Sequence, residues 1–219
     1  MIHDLNGSPL ELMNFRLNYI GRLPTSGSNT SGRPAAKWAI RKAIQPQLAY
    51  LFKTHPVYTG LGFSFTGMSM GHTLVAGDVS IGRLESVARA LAAPVVVDGK
   101  AFIPLVRKSL ELTCELEILF LRRGEPGALI LPGGDIDNRL KTLFDALKIP
   151  SSQDLAVDQP DADPFFCLLE DDSLITGFNV ETDRLLIPPQ GNEDDASILI
   201  RATIRVMKIT SENVGFLSE

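Results

Sequence analysis

The sequence predicts a single α+β domain spanning residues 1–219, in which a mixed or antiparallel sheet packs against helices. Three observations support this prediction. Alternating apolar and polar residues indicate strands early, midway and late in the chain. Apolar residues at helical spacing indicate helices between them. The 219 residues, 44% of them hydrophobic and 21% charged, are sufficient for one core. The predicted order is strand, helix, insertion, strand, helix, strand, strand.

The first half of the chain contains one clear strand and one clear helix. Residues 14–23 alternate as a half-buried strand does, and residues 35–52 carry apolar side chains at helical spacing. Pro46 is expected to kink or split that helix. Residues from about 53 to 107 are glycine-rich and contain neither G-x-x-x-x-G-K-[ST] nor G-x-G-x-x-G. They are interpreted as an insertion of irregular loop and short hairpins, with a short amphipathic helix at residues 80–92.

The second half contains the most regular patterns. Residues 110–121 predict a strand, because apolar residues at every second position from Leu112 to Phe120 oppose more polar residues from Glu111 to Glu117. Leu140, Leu143, Phe144 and Leu147 form one apolar stripe and predict a helix at 139–147. An acidic insertion is expected at about 150–165, and the closing strands are predicted at 173–180 and 197–209.

The amino-acid composition argues against several kinds of binding site and against a membrane location. The formal net charge is −5, so the basic surplus typical of proteins that bind a phosphate backbone is absent from the total. With only two cysteines and three histidines, the chain is expected to contain neither a disulfide framework nor a structural zinc site. No run approaches the roughly 18 apolar residues of a membrane-spanning helix, and the first residues lack a basic leader with an apolar stretch. We therefore expect a cytoplasmic protein with no membrane partner.

Two carboxylates stand immediately before the predicted helix 139–147. Asp135 and Asp137 follow the pair Gly133-Gly134, and residues at i and i+2 of an extended segment project to the same side. The start of a helix favours negative charge, and Lys141 lies one turn further on. Such a group suits Mg²⁺ or Mn²⁺, which prefer carboxylate oxygen. The alternative is that Asp137 merely caps the helix.

A second acidic group lies at residues 170–172, between the apolar run 165–169 and the strand predicted at 173–180. By itself, such a group at the mouth of a strand is usually a solvated loop. Here it belongs to the next core element after the helix that follows Asp137. A chain that returns along that helix would bring Asp172 towards Asp135 and Asp137.

The two acidic groups together resemble a known family. Residues 135–147 read D-x-D-N-x-x-K-x-x-x-D-A-L, and residues 171–175 read D-D-x-x-I. This order of positions is similar to that of the RusA-type endodeoxyribonucleases, which resolve four-way (Holliday) junctions in DNA recombination and repair. The likeness covers about half of the chain, within residues 14–52 and 110–209.

The resemblance implies a fold, a site and a reaction. Asp135, Asp137 and Asp172 would be catalytic and would hold Mg²⁺ or Mn²⁺, and Lys141 would assist the cleavage of a phosphodiester. A symmetric homodimer would cut the opposing strands of branched or structured DNA. Metal ions held by carboxylates activate water and neutralise charge that develops on phosphate.

The chain also departs from the family. Its nearest arginines before the motif are Arg122 and Arg123, which with Asn138 and Arg139 are the candidate nucleic-acid contacts. The insertions at about 53–107 and 150–165 have no recognised counterpart, and the first of them could contact a protein partner. The alternative function is therefore a RusA-like scaffold that acts as a non-catalytic subunit binding nucleic acid or protein.

Overall fold

Nine strands and four helices are assigned in the part of the chain that the computed structural model describes. The described residues are 10–23, 32–59, 65–66, 69–70, 87, 89–123, 136–186, 195–211 and 213. The strands are β1 (Leu10–Arg22), β2 (Phe65–Thr66), β3 (Ser69–Met70), β4 (Val95–Val97), β5 (Lys100–Val106), β6 (Leu112–Arg122), β7 (Phe165–Leu169), β8 (Ile175–Arg184) and β9 (Asp195–Val206). The helices are α1 (Gly32–Thr54), α2 (Pro56–Thr59), α3 (Ile136–Leu147) and α4 (Ser152–Leu155), with a 3₁₀ turn at Asp172–Leu174.

The larger sheet has the strand order β1-β9-β6-β8. β9 pairs antiparallel with both β1 and β6, whereas β8 runs parallel to β6. The alternation predicted for the middle strand is confirmed, because the residues with buried side chains are Leu112, Cys114, Leu116, Ile118 and Phe120. The buried face of this sheet packs with α1 and α3 in the main core. The prediction of an α+β fold with a mixed sheet is confirmed.

A second mixed sheet, with the order β4-β5-β7, was not predicted. β4 and β5 form a hairpin whose turn, Asp98-Gly99, has positive φ angles of 47° and 76° at its two residues. β7 pairs parallel with β5. The interpretation of residues 53–107 as an insertion of loops and hairpins is therefore corrected at its C-terminal end, because β5 is a core strand that pairs with β7.

Helix α1 runs without a break from Gly32 to Thr54 and passes through Pro46, so the expected split does not occur. The buried residues Ile40, Ile44 and Leu48 anchor the helix on both sides of the proline. Tertiary packing of this kind outweighs the lost hydrogen bond at one position. No helix among the described residues is long and apolar enough to cross a membrane.

The predicted acidic insertion contains a buried ion cluster that ties α4 to α1. The Asp154 carboxylate forms ion pairs with Lys37 and Arg41, the latter at 3.2 Å, and accepts hydrogen bonds from the backbone and hydroxyl of Ser151, both at 3.1 Å. Trp38 Nε1 donates to the Asp154 carbonyl at 2.8 Å. Arg41 also donates to the Asp145 carbonyl near the end of α3, at 2.7 Å. Part of this segment is thus a structural anchor.

The Asp154 cluster predicts a pH dependence of stability. Burial alone would raise the pKa of Asp154, but Lys37, Arg41 and the Ser151 N–H outweigh it and hold the pKa below its usual range. A carboxyl group of this kind stabilises the fold above its unfolded pKa of about 3.9, and the contribution is lost as the pH falls through the lower folded value. We expect the free energy of unfolding, measured with urea, to fall between pH 5 and pH 2. The slope should be shallower in Asp154→Asn, and equal slopes would contradict the assignment.

Candidate functional site

One side of α3 and its C-terminal extension carries four charged residues, Asp137, Lys141, Asp145 and Lys148, here called the α3 stripe. Spacings of four residues place Asp137, Lys141 and Asp145 within an arc of roughly 80° at about 100° per residue, and Lys148 Nζ, just beyond the helix, lies 3.8 Å from Asp145 Oδ1. Asp137 and Lys141 are exposed, and Asp145 and Lys148 are half-buried. The opposite side of the helix is apolar and buried. The stripe therefore offers alternating negative and positive side chains to a ligand.

Asp137 lies inside the helix and not at its cap. Asp137 is itself helical and follows the helical residue Ile136, while Asp135 lies outside the described residues. The alternative in which Asp137 only caps the helix is corrected accordingly. Asp137 is thus an exposed anion with no capping role.

The two aspartates before β8 have different roles. The Asp171 side chain accepts a hydrogen bond from Ser173 N at 3.0 Å and caps the 3₁₀ turn, and this bonding lowers the pKa of Asp171. Asp172 is the first residue of that turn, and its side chain is 41% exposed. The capping role of Asp171 leaves Asp172 as the carboxylate directed to other partners.

Asp172 contacts the C-terminal end of the α3 stripe. Lys148 Nζ donates to Asp172 Oδ2 at 2.9 Å and lies 3.8 Å from Asp145 Oδ1. Desolvation lowers the pKa of Lys148, but Asp172, Asp145 and Asp171 raise it further, so the net shift is upward and Lys148 is a cation at neutral pH. Sequence reasoning did not assign Lys148 or Asp145 to the site. The helical spacing from Asp137 was the available signal.

The structure brings Asp172 together with Asp145 and Lys148, and leaves Asp137 at the other end of the stripe. Eight residues separate Asp137 from Asp145, which corresponds to about 12 Å of helical rise. Within the described ranges, no three His, Cys, Asp or Glu side chains are close enough to share one ion. The predicted third ligand, Asp135, lies outside those ranges.

Arg139, a predicted nucleic-acid contact, is buried. It lies on the packed side of α3, and its NH1 group donates to the Leu23 carbonyl just after β1. The guanidinium therefore attaches the first turn of α3 to the end of β1 and is not presented to a ligand. Asn138 is half-buried, and its carbonyl accepts from Thr142 Oγ1 at 2.8 Å.

The other two predicted contacts, Arg122 and Arg123, lie at the same end of the larger sheet as the start of α3. Arg122 is opposite Arg184 of β8, whereas Arg22 ends β1, which lies two strands from β6 and directs Arg22 to the face opposite the buried one. Both Arg22 and Arg184 are exposed. Strand register thus brings Arg122 and Arg184 together at this end of the sheet, with Arg123 next in the chain. The sequence indicated only two of them.

Comparison of the chain with protein-family models, curated proteins and solved structures found no match.

Proposed function

We propose that the protein is a Mg²⁺- or Mn²⁺-dependent endonuclease of the RusA type that hydrolyses phosphodiesters in branched or structured DNA. Asp135, Asp137 and Asp172 supply the carboxylates, and Lys141 acts on the substrate. The observation that supports this most directly is the cation already present at Asp172, namely the Lys148 ammonium at 2.9 Å. This pair belongs to a charged stripe that begins at Asp137.

Asp137 and Asp172 are carboxylates of the kind that a hard divalent ion prefers, although they lie at opposite ends of the α3 stripe and do not converge in this structure. Asp137 is exposed and the Asp172 side chain is 41% exposed, so both carboxylates are accessible to a ligand. Asp154, by contrast, is buried and receives several protein donors. Mg²⁺ in such a site keeps several waters and uses one or two carboxylates plus substrate phosphate, so sparse, accessible carboxylates are suitable ligands.

The proposal assigns separate roles in cleavage to the divalent ion and to Lys141. A bound divalent ion supplies Lewis acidity and an activated water. Lys141, one turn after Asp137, is placed to neutralise charge on a phosphate oxygen during in-line attack.

The arginines at the end of the larger sheet support DNA as the substrate. Arg122, Arg123 and Arg184 place positive charge at the end of the larger sheet that Arg139 links to the first turn of α3. Local positive charge attracts a phosphate backbone even when the net charge of the protein is negative. A homodimer would present two such sites to the two strands of a symmetric junction.

A non-catalytic subunit is the second candidate. The interior position of Arg139 removes one of the predicted DNA contacts, and the formal net charge is −5. Both observations favour a scaffold with weaker DNA affinity, whose partner supplies the missing contacts.

Labelled duplex, flap and four-way junction DNA, incubated with and without Mg²⁺ or Mn²⁺, tests the proposal. We expect metal-dependent cleavage of the branched substrates. A chain that binds these substrates without cutting any of them in either metal is the scaffold and not the nuclease.

The arginine end makes a separate prediction about binding. Arg184→Gln should weaken junction binding in EDTA and reduce the slope of log affinity against log salt by about one. Lys100→Gln is the matched control, because Lys100 is an exposed cation of the other sheet. Equal effects of the two substitutions would show that DNA does not bind at the arginine end.

A further inference from the structure

We propose that the outer face of the larger sheet is a self-association surface, on which a second copy of this chain stacks about a two-fold axis parallel to the strands. The outer face is the side of β1, β9, β6 and β8 that points away from the main core. This inference goes beyond the proposed nuclease function, because it concerns association of the chain and requires neither metal nor DNA.

Strand register divides the outer face into a basic half and an acidic half. Four rows of outward residues, which begin at Asn14 and end at Ile20 on β1, cross all four strands. In these rows, the charged residues of β1 and β9 are arginines, and those of β6 and β8 are carboxylates. The basic half contains Arg16 and Arg201, and the acidic half contains Glu115, Glu117, Glu181 and Asp183.

Apolar side chains lie between the charged ones on the outer face. Leu199 of β9 is directly opposite Leu119 of β6, and Leu199 is 36% exposed. Ile20, in the next row on β1, is 69% exposed. A shallow depression that takes residues from all four strands includes both leucines in its lining. Accessible apolar residues rimmed by charged ones are typical of a protein interaction surface.

The charge pattern favours a second copy of the chain and selects its orientation. A two-fold axis that runs along the strands, between β9 and β6, places the basic half over the acidic half of the second copy. Arg201 then faces Glu117 of the second copy, and Leu199 faces Leu119 of the second copy. A two-fold axis across the strands would place each half over itself, with like charges opposed. The outer face is thus self-complementary in the first orientation, as an isologous interface requires.

The size of the face and its exposed ion pair are suitable for this contact. Four strands of nine or ten residues form a face of about 19 by 30 Å, on the order of 600 Å², which approaches the about 800 Å² per partner of a standard interface. Within one chain, Arg201 lies 3.3 Å from Glu117, and their side chains are 39% and 61% exposed. A guanidinium and a carboxylate at this exposure retain hydrogen-bonding positions for a second copy.

Two charge-reversal variants test the surface by sedimentation velocity at low ionic strength. Arg16→Glu with Arg201→Glu makes the outer face acidic, and Glu117→Lys with Glu181→Lys makes it predominantly basic. Wild type should sediment at twice the chain mass of 23.9 kDa. Each variant alone should dimerise at least about tenfold more weakly, because like charges then face each other. An equimolar mixture of the two variants should form a heterodimer, since an acidic face meets a basic one.

Lys100→Glu with Lys108→Glu is the matched control for the acidic variant. Both lysines are exposed and lie outside the larger sheet, so the net charge changes equally while the outer face does not. This control should dimerise as wild type does. Thermal melts of every variant identify those that remain folded.

Two single substitutions keep the test decisive if a double variant does not fold. Arg16→Glu and Glu181→Lys each leave Arg201 and Glu117 in place. Each should weaken the dimer, and mixing the two should strengthen it again.

The remaining outcomes decide against the inference. A wild-type chain that stays monomeric throughout the micromolar range would overturn it. Charge-reversal variants that dimerise as tightly as wild type would show that the dimer uses another surface. Folded, monomeric variants that do not combine when mixed would refute the charge complementarity. A dimer with these properties that cleaves no DNA would contradict the proposed function and leave this inference standing.

Discussion

Asp137→Asn should reduce Mg²⁺-dependent cleavage of junction DNA at least about 100-fold, because the amide keeps the shape of the side chain but loses the charge that binds a hard cation. Asp137 is exposed and is not the N-cap of α3, so the protein should remain folded with only a small loss from the helix-terminus interaction. Cleavage rates and thermal melts, measured on the same preparation, provide both readouts.

Two further variants test whether the loss of cleavage expected for Asp137→Asn arises at the proposed site. Lys141→Ala should lower the cleavage rate while metal affinity persists, because the lysine acts on phosphate and not on the ion. Asp161→Asn, an exposed aspartate in the segment before β7, should cleave at the wild-type rate. Wild-type cleavage by Asp137→Asn would refute the proposed site.

Asp154→Ala should have the largest effect on stability, about 3 to 5 kcal/mol, with the metal site itself unaltered. Arg41 is only 2% exposed, and its Nε and NH1 atoms have no hydrogen-bond partner among the described residues, so the loss of Asp154 leaves a buried charge without its carboxylate. The hydrogen bond to Ser151 and the ion pair to Lys37 are lost as well. Urea denaturation at neutral pH measures the change in the free energy of unfolding.

Asp158→Ala serves as the control for Asp154→Ala. Asp158 pairs with Lys42 of α1, the helix that also contains Arg41. Both side chains are substantially exposed, and ion pairs of this kind contribute at most about 1 kcal/mol to stability. A loss below 1 kcal/mol in Asp154→Ala itself would show that Arg41 finds another partner or water. The importance assigned to the buried cluster would then be wrong.

Several elements were predictable because their signal is local. The strict alternation of β6 and the apolar stripe of α3 depend on the two- and 3.6-residue periods of strand and helix, which a single segment contains in full. The second sheet was missed because β7 is buried at all five residues and shows no alternation. The β4–β5 hairpin lies in the segment for which loops and short hairpins were predicted, but no local signal indicated that β5 pairs with β7, about 60 residues later in the chain.

The sequence by itself determined the α+β class and the charged motif that leads into α3. Only the tertiary structure decided which charges meet. Lys148 pairs with Asp172 across 24 residues, and Arg41 pairs with Asp154 across 113. The periodicity of apolar residues in the sequence does not predict such ion pairs, because they depend on how β7 and α1 pack against α3. The same packing turned Arg139 inward and made Asp154, in a segment interpreted as an insertion, a buried anchor.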